Sequence, residues 1–157
     1  SLLNSDLLTL AAKLGGIRGI AQGNDGTLYI SYLKSIFKVT LDGKIEPFLN
    51  PVILDECDLS VKENEAPYLN GLVLDEKDNI YATATGCNCT IKITPDKKVT
   101  TLLKAEKPWS PGGIAIHDGE IYVLEHVNPN SDQHESWQPR IRKIGKDKKV
   151  TTIAILD

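Results

Sequence analysis

Apolar and polar positions along this chain alternate in short bursts and never settle into the spacing of a sustained helix. "GIA" (19–21), "GLVL" (71–74) and "GIAI" (113–116) are apolar runs suited to strands buried on both faces. Each leads into a turn sequence, "GNDG", "DEKDN" or "HDG", whose Asn, Asp and Gly residues tolerate positive φ in tight hairpins. A second run follows, "TLYIS" (27–31), "NIYAT" (79–83) or "EIYVLE" (120–125), rich in the β-branched and aromatic residues that strands favour. Gly and Pro punctuate the whole chain, and the pattern predicts an all-β fold.

The bursts also repeat. Four landmarks recur in one order in three copies. A glycine opens an apolar run at Gly19, Gly71 and Gly113, with spacings of 52 and 42. A tyrosine sits in the next strand at Tyr29, Tyr81 and Tyr122. A lysine lies between apolar residues in "IFKV" (36–39), "TIKI" (90–93) and "IRKI" (141–144). An aspartate then opens a turn and another strand in "DGKIEPFL" (42–49), "DKKVTTLL" (96–103) and "DKKVTTIA" (147–154). Each copy therefore converts into four short strands, a to d, and four antiparallel strands repeated at this period describe a β-propeller blade.

The N-terminal "DLLTLAAKLGG" (6–16) is similar to "VTTLLKAEKPWSPGG" (99–113), a d strand leading into a new copy. The expected organisation is a strand completing a neighbouring blade (1–16), blade one (17–50), a long loop (51–68), blade two (69–104) and blade three (105–157). Closed propellers have about four to eight blades, so three are expected to belong to a larger ring. Two copies giving six blades is the simplest closure, with another chain as the alternative partner.

Composition narrows the function classes. With 157 residues the chain can bury the core of one domain. A net charge of −3 argues against a nucleic-acid footprint. Lys146, Lys148 and Lys149 are interrupted by Asp147 and read as a solvated turn. No apolar stretch approaches the roughly 18–20 residues of a membrane span. "SLLNSDLLTL" lacks the basic start and continuous apolar run of a signal peptide. The absence of methionine reads as a processed or excised chain. Cys57 is expected to bridge Cys87 or Cys89, because a Cys-x-Cys pair is poorly spaced to bond itself. Such a bridge leans towards an exported protein, periplasmic or extracellular.

In a four-stranded meander the d-to-a and b-to-c connections emerge together, and here they carry the length: 50–68, 86–89, 105–112 and 126–139. A site is expected on this long-loop face. The richest loop, "EHVNPNSDQHESWQPR" (125–140), offers Glu125 and His126 as candidate bases, with His134, Trp137 and Arg140 as contacts. Tyr32, Tyr68 and Trp109 are further candidate contacts on the same face. "HESW" lacks the second histidine of the zinc motif H-E-x-x-H.

"GIAQGNDGTLYIS…IFKVTLDGK" and "GIAIHDGEIYVLE…RIRKIGKDKKVTTIA" resemble NHL-type repeats and the blades of gluconolactonase-like (senescence-marker-protein-like) six-bladed propellers. The resemblance covers nearly all of residues 17–156. It implies a divalent cation such as Ca²⁺ at the mouth of the channel, held by oxygen side chains just before the glycine that opens strand a. Asn70 matches the family's asparagine ligand. Gly112 stands where an aspartate is expected, and Arg18 puts a cation where an oxygen is required. Two readings follow. One is an NHL-like binding or scaffold module that engages a protein or small polar ligand. The other is a gluconolactonase-like hydrolase of a lactone or sugar-derived substrate, with Glu125 or His126 as base.

Overall fold

The landmark residues of the repeat turn out to be partners of one another. In the computed structural model, which describes residues 17–57, 65–127 and 138–156, the chain forms three four-stranded antiparallel meanders. Blade one holds β1 (Gly19–Gln22), β2 (Leu28–Tyr32), β3 (Ser35–Val39) and β4 (Ile45–Leu49). Blade two holds β5 (Leu69–Leu74), β6 (Ile80–Ala84), β7 (Cys89–Ile93) and β8 (Val99–Lys104). Blade three holds β9 (Trp109–His117), β10 (Glu120–Val127), β11 (Arg140–Ile144) and β12 (Val150–Ile155). In every blade the repeated tyrosine lies directly across from the repeated lysine: Tyr29 from Lys38, Tyr81 from Lys92, Tyr122 from Lys143. The pair lets each lysine lay its stem along a ring while its ammonium reaches an acid or the ring itself. Lys38 meets Glu46 at 3.1 Å, Lys143 meets Glu120 at 3.4 Å, and Lys92 sits 6.0 Å from the Tyr81 centroid.

The repeated aspartates shape the c-to-d turns. Asp42 and Asp96 accept from the hydroxyls of Thr40 and Thr94, and Asp147 accepts from the Lys149 amide at 3.0 Å. The residue after each aspartate is left-handed: Gly43 at φ 83°, Lys97 at 70° and Lys148 at 67°. Only the first copy places glycine where the turn favours it.

Blades stack through aliphatic faces. Ile80, Ala82, Ile91 and Ile93 of blade two are buried in one core with Ile36 of blade one, against Tyr29 and Phe48. Ile121, Val123 and Ile144 of blade three join Leu103 of blade two, with Tyr81 and Leu102 packed alongside. Each fully buried aliphatic side chain contributes about 1.5–3 kcal/mol. The inner strands approach so closely that their glycines are obligatory. A Cβ on Gly19 would lie 2.2 Å from the Asn70 carbonyl oxygen, and one on Gly71 would lie 2.9 Å from Ile114 Cγ2. A hydroxyl from strand b secures each junction: Ser31 donates to the Asn70 carbonyl and Thr83 to that of Gly112, both at 2.6 Å.

Blade three departs from this pattern. Leu124 occupies the place of Ser31 and Thr83 and is 38% exposed. A Cβ on Gly113 would meet nothing nearer than Leu124 of its own blade, at 3.7 Å. Ile153, at the position of Leu102, is 50% exposed. The pattern places strand a of this blade from Gly113, but β9 begins at Trp109, because residues 109–111 pair with Val127, His126 and Glu125. The 86–89 connection opens with a 3₁₀ turn (Thr85–Cys87), and Cys87, Asn88 and Cys89 are all buried. The expected N-terminal d strand lies outside the described residues.

Candidate functional site

At the long-loop end of blade three, the register brings Glu125, the penultimate-but-one residue of β10, opposite Arg140, the first of β11, and Pro111 of β9. Period-two alternation puts Val123 and Glu125 on one face of β10, and Arg140 and Arg142 on the matching face of β11. Glu125 is fully buried. Arg140 Nε donates to Glu125 Oε2 at 2.6 Å, and Arg142 Nη1 lies 3.6 Å from the same oxygen. The arginine side chains are only 12% and 17% exposed. The Trp109 ring covers Arg140, whose Cζ is 3.7 Å from the ring centroid, and the indole Nε1 donates to the Gln138 carbonyl at 3.1 Å. Three buried polar atoms of this cluster have no hydrogen-bond partner among the described residues: Glu125 Oε1, Arg140 Nη2 and Arg142 Nε. Two guanidinium groups around one carboxylate thus leave a net positive charge and unused donors beneath the loop face.

The same positions are apolar one blade earlier. The Lys143–Lys92 correspondence aligns Arg142 with Ile91 and Arg140 with Cys89, both buried and paired with Ala82 and Ala84. Blade three has replaced an aliphatic junction with an ionic one. Arg142 escapes the sequence reading. Its signal is the alternation Arg-Ile-Arg in a strand whose counterparts in the other blades are uncharged at both positions.

His126 follows Glu125, pairs with Ser110 and is half-buried. A Cβ at Gly112 would lie 3.1 Å from its Nδ1. Gly112 therefore makes room for an imidazole where the family resemblance leads one to expect an aspartate. The cation position is defined by the three residues that precede the strand-a glycines, namely Arg18, Asn70 and Gly112. Arg18 Nη2 donates to the Tyr68 hydroxyl at 2.6 Å and its Cζ lies 5.4 Å from that ring's centroid. Tyr68 is held left-handed at φ 52°, its amide bonded to the Glu65 carbonyl at 2.9 Å. The set offers one side-chain amide, one guanidinium and no side chain, which does not fit a divalent cation. Among the described residues no group of three or more His, Cys, Asp or Glu is poised for a metal.

Trp109, Arg140 and Glu125 are thus brought together, and Tyr68 is coupled to Arg18. Tyr32 stands apart at the tight β2–β3 turn. His134 and Trp137 lie outside the described residues. Cys57 is bonded to Cys87 with the Cα atoms 4.7 Å apart, while Cys89 is free and buried. Burial pushes the Cys89 thiol up to about 11 against the opposing pull of Lys104, so it is a poor nucleophile. The disulfide ties the 50–57 segment to the buried 3₁₀ turn. Beside that segment a groove of about 710 Å³ runs between β4 and β8, with Leu49, Ile53, Leu54 and Val99 in its wall and the Lys104–Glu56 ion pair at its edge.

No family model and no curated protein matches the chain. Solved structures do. A gluconolactonase from Xanthomonas campestris superposes with TM-score 0.66 at 18% identity, over 95% of this chain and 55% of that one. A streptogramin B lyase gives 0.63 at 19%, over 90% and 41%. The extracellular domain of a two component system from B. thetaiotaomicron gives 0.57 at 10%, over 89% and 17%. The chain is a β-propeller segment. It resembles the gluconolactonase-like and streptogramin B lyase propellers in fold, and it spans between 41% and 56% of the first four structures matched. No helix among the described residues is long and apolar enough to cross a membrane.

Proposed function

We propose that this propeller segment is a binding module that engages a protein or a small polar ligand through its long-loop face. The observation behind the reading is the buried cluster of Glu125, Arg140 and Arg142 under Trp109, with three polar atoms left unpaired among the described residues. Buried polar groups are rarely left unsatisfied, and stacked Trp and Arg are the side chains that dominate binding hot spots. Tyr68, His126, His134 and Trp137 extend the proposed contact surface. The test is calorimetric titration of the folded chain with a panel of small sugar acids and polyols. Binding that falls at least tenfold in Trp109→Ala, with an unchanged circular dichroism spectrum, supports the reading. Unchanged affinity in that variant contradicts it.

The second reading is a divalent-cation-dependent hydrolase of a lactone or sugar-derived substrate. It is favoured by Asn70 and by the gluconolactonases among the matched structures. Glu125 is fully buried with Arg140 and Arg142 against the same carboxylate oxygen, which leaves His126 as the candidate base. Opening of an aldonolactone that depends on added Ca²⁺ or Zn²⁺ and is lost in His126→Ala supports the hydrolase. Opening at the uncatalysed rate removes it.

For partners, we propose that the trailing face of blade three is covered by a second copy or another chain that completes the ring. The exposed Leu124 and Ile153 support this, since their counterparts are buried (Ser31, Thr83) or packed against the core (Phe48, Leu102) between the other blades. Export is proposed from the Cys57–Cys87 bridge and from the extracellular domain among the matched structures.

A further inference from the structure

We infer that the mouth of this propeller segment binds a small oxyanion, a carboxylate or phosphate group, with Arg18 as its principal contact. The inference rests on the binding reading above and names a ligand class for a second point on the same face. At the strand-a entry positions the chain offers a guanidinium at Arg18 and a side-chain amide at Asn70, and no carboxylate. The Arg18 backbone is fixed by its amide bond to the Ser31 carbonyl at 3.1 Å, directly before the Gly19–Asn70 close approach. That approach brings the backbone next to Arg18 against the backbone of Asn70. The Asn70 carbonyl is already taken by Ser31, so its side-chain amide is what it can offer a ligand.

Arg18 is exposed, and no acid of the described residues pairs with it; its described side-chain contacts are the hydroxyl and ring of Tyr68. One guanidinium nitrogen is spent on that hydroxyl, which leaves the rest of the planar fork for a bidentate acceptor. Because the Tyr68 oxygen accepts from Arg18, its own O–H points elsewhere and can donate. The rigid left-handed backbone at Tyr68 holds this pair in place. A divalent cation at the same point would face a guanidinium instead of a carboxylate. The protein has, in effect, a fixed cation of its own where related propellers are expected to recruit one.

The test is thermal unfolding of the full chain with citrate or inorganic phosphate, each against sodium chloride at matched ionic strength, and separately with calcium chloride. Citrate or phosphate should raise the midpoint by several degrees beyond the chloride control, and calcium should not. Arg18→Gln should abolish the anion effect, read against that variant's own midpoint in chloride, and Tyr68→Phe should weaken it several-fold. An anion effect that survives in Arg18→Gln, or stabilisation by calcium, overturns the inference. If sugar-acid binding persists through Trp109 while citrate and phosphate do nothing, this inference fails alone. If the wild-type chain binds none of these probes, the binding reading fails with it.

Discussion

Replacing Gly19 with alanine tests the blade-to-blade geometry at its tightest point. The added Cβ would lie 2.2 Å from the Asn70 carbonyl oxygen, 3.2 Å from the carbonyl carbon and 2.9 Å from Ser31 Oγ. Contacts below 3.0 Å are not tolerated by backbone atoms, so β1 and β5 must separate by roughly an ångström, at a cost of about 1–3 kcal/mol for overpacking. The Ser31–Asn70 bond of 2.6 Å spans the same junction and is strained or lost, adding about 1 kcal/mol. The expected loss is about 2–4 kcal/mol, a large part of a typical domain's stability. In a chain of this size that corresponds to roughly 5–15 °C in melting midpoint. Gly113→Ala is the internal control, since its Cβ meets only Leu124 at 3.7 Å and 3.9 Å. In the single chain, with the blade-three face uncovered, it should be neutral, or stabilising by about 0.4–1 kcal/mol through the unfolded chain. Urea unfolding followed by tryptophan fluorescence reads both. If Gly19→Ala proves as mild as Gly113→Ala, the close approach of the inner strands is wrong.

Glu125→Gln leaves two largely buried guanidinium groups without their carboxylate and should cost about 3–5 kcal/mol in urea unfolding; a neutral result would mean the cluster is open to water. Cys57→Ser removes a bridge of sequence separation 30 and should lower stability by about 3–4 kcal/mol, an effect that reduction of the wild-type protein should reproduce. Lys148→Gly should stabilise by about 1 kcal/mol, because it relieves a left-handed lysine at φ 67°; loss of stability would show the side chain is needed there. Burial works to raise the Asp75 carboxyl, but hydrogen bonds from the Asn79 amide group, the Tyr81 hydroxyl and the Asn79 and Lys77 backbone outweigh it and hold it below the usual range. Its stabilisation is therefore present above the unfolded carboxylate's pKa and lost as pH falls through the lower folded value. Burial first and Asp75 second push Tyr81 up to about 12, so its contribution is full below the free phenol's value near 10 and disappears as pH rises through about 12. Spectrophotometric titration should find a tyrosine ionising near 12 that moves to lower pH in Asp75→Asn, and an unmoved midpoint would remove the pairing.

Much of the fold was legible because its landmarks are backbone and register requirements. Gly19 and Gly71 mark the close approach of inner strands, and each tyrosine–lysine pair marks a cross-strand register, so both recur whenever a blade is built. The aspartate turns recur for the same reason, even where Lys97 and Lys148 must adopt a glycine-like conformation. The site was less legible because it is made where the repeat is broken. Glu125 and Arg140 were visible as chemistry in a loop-rich stretch, but their burial depends on Arg142 lying two residues on along β11, opposite Val123. The Arg18–Tyr68 coupling joins residues 50 apart across two blades, and no local pattern announces it. The choice of Cys87 over Cys89 depends on the 3₁₀ turn, which brings Cys87 to Cys57 while both cysteines stay buried, and alternation alone does not decide that. The interblade hydroxyls of Ser31 and Thr83 were hidden because strands tolerate Ser and Thr on either face.

The central claim is that these are three blades of a propeller whose blade-three face is meant to be covered. Light scattering on a sizing column measures this directly. The account predicts a particle of at least twice the 17.2 kDa chain mass, reduced by a charge placed at Leu124. A monodisperse particle of one chain mass that unfolds cooperatively would contradict closure by a second copy.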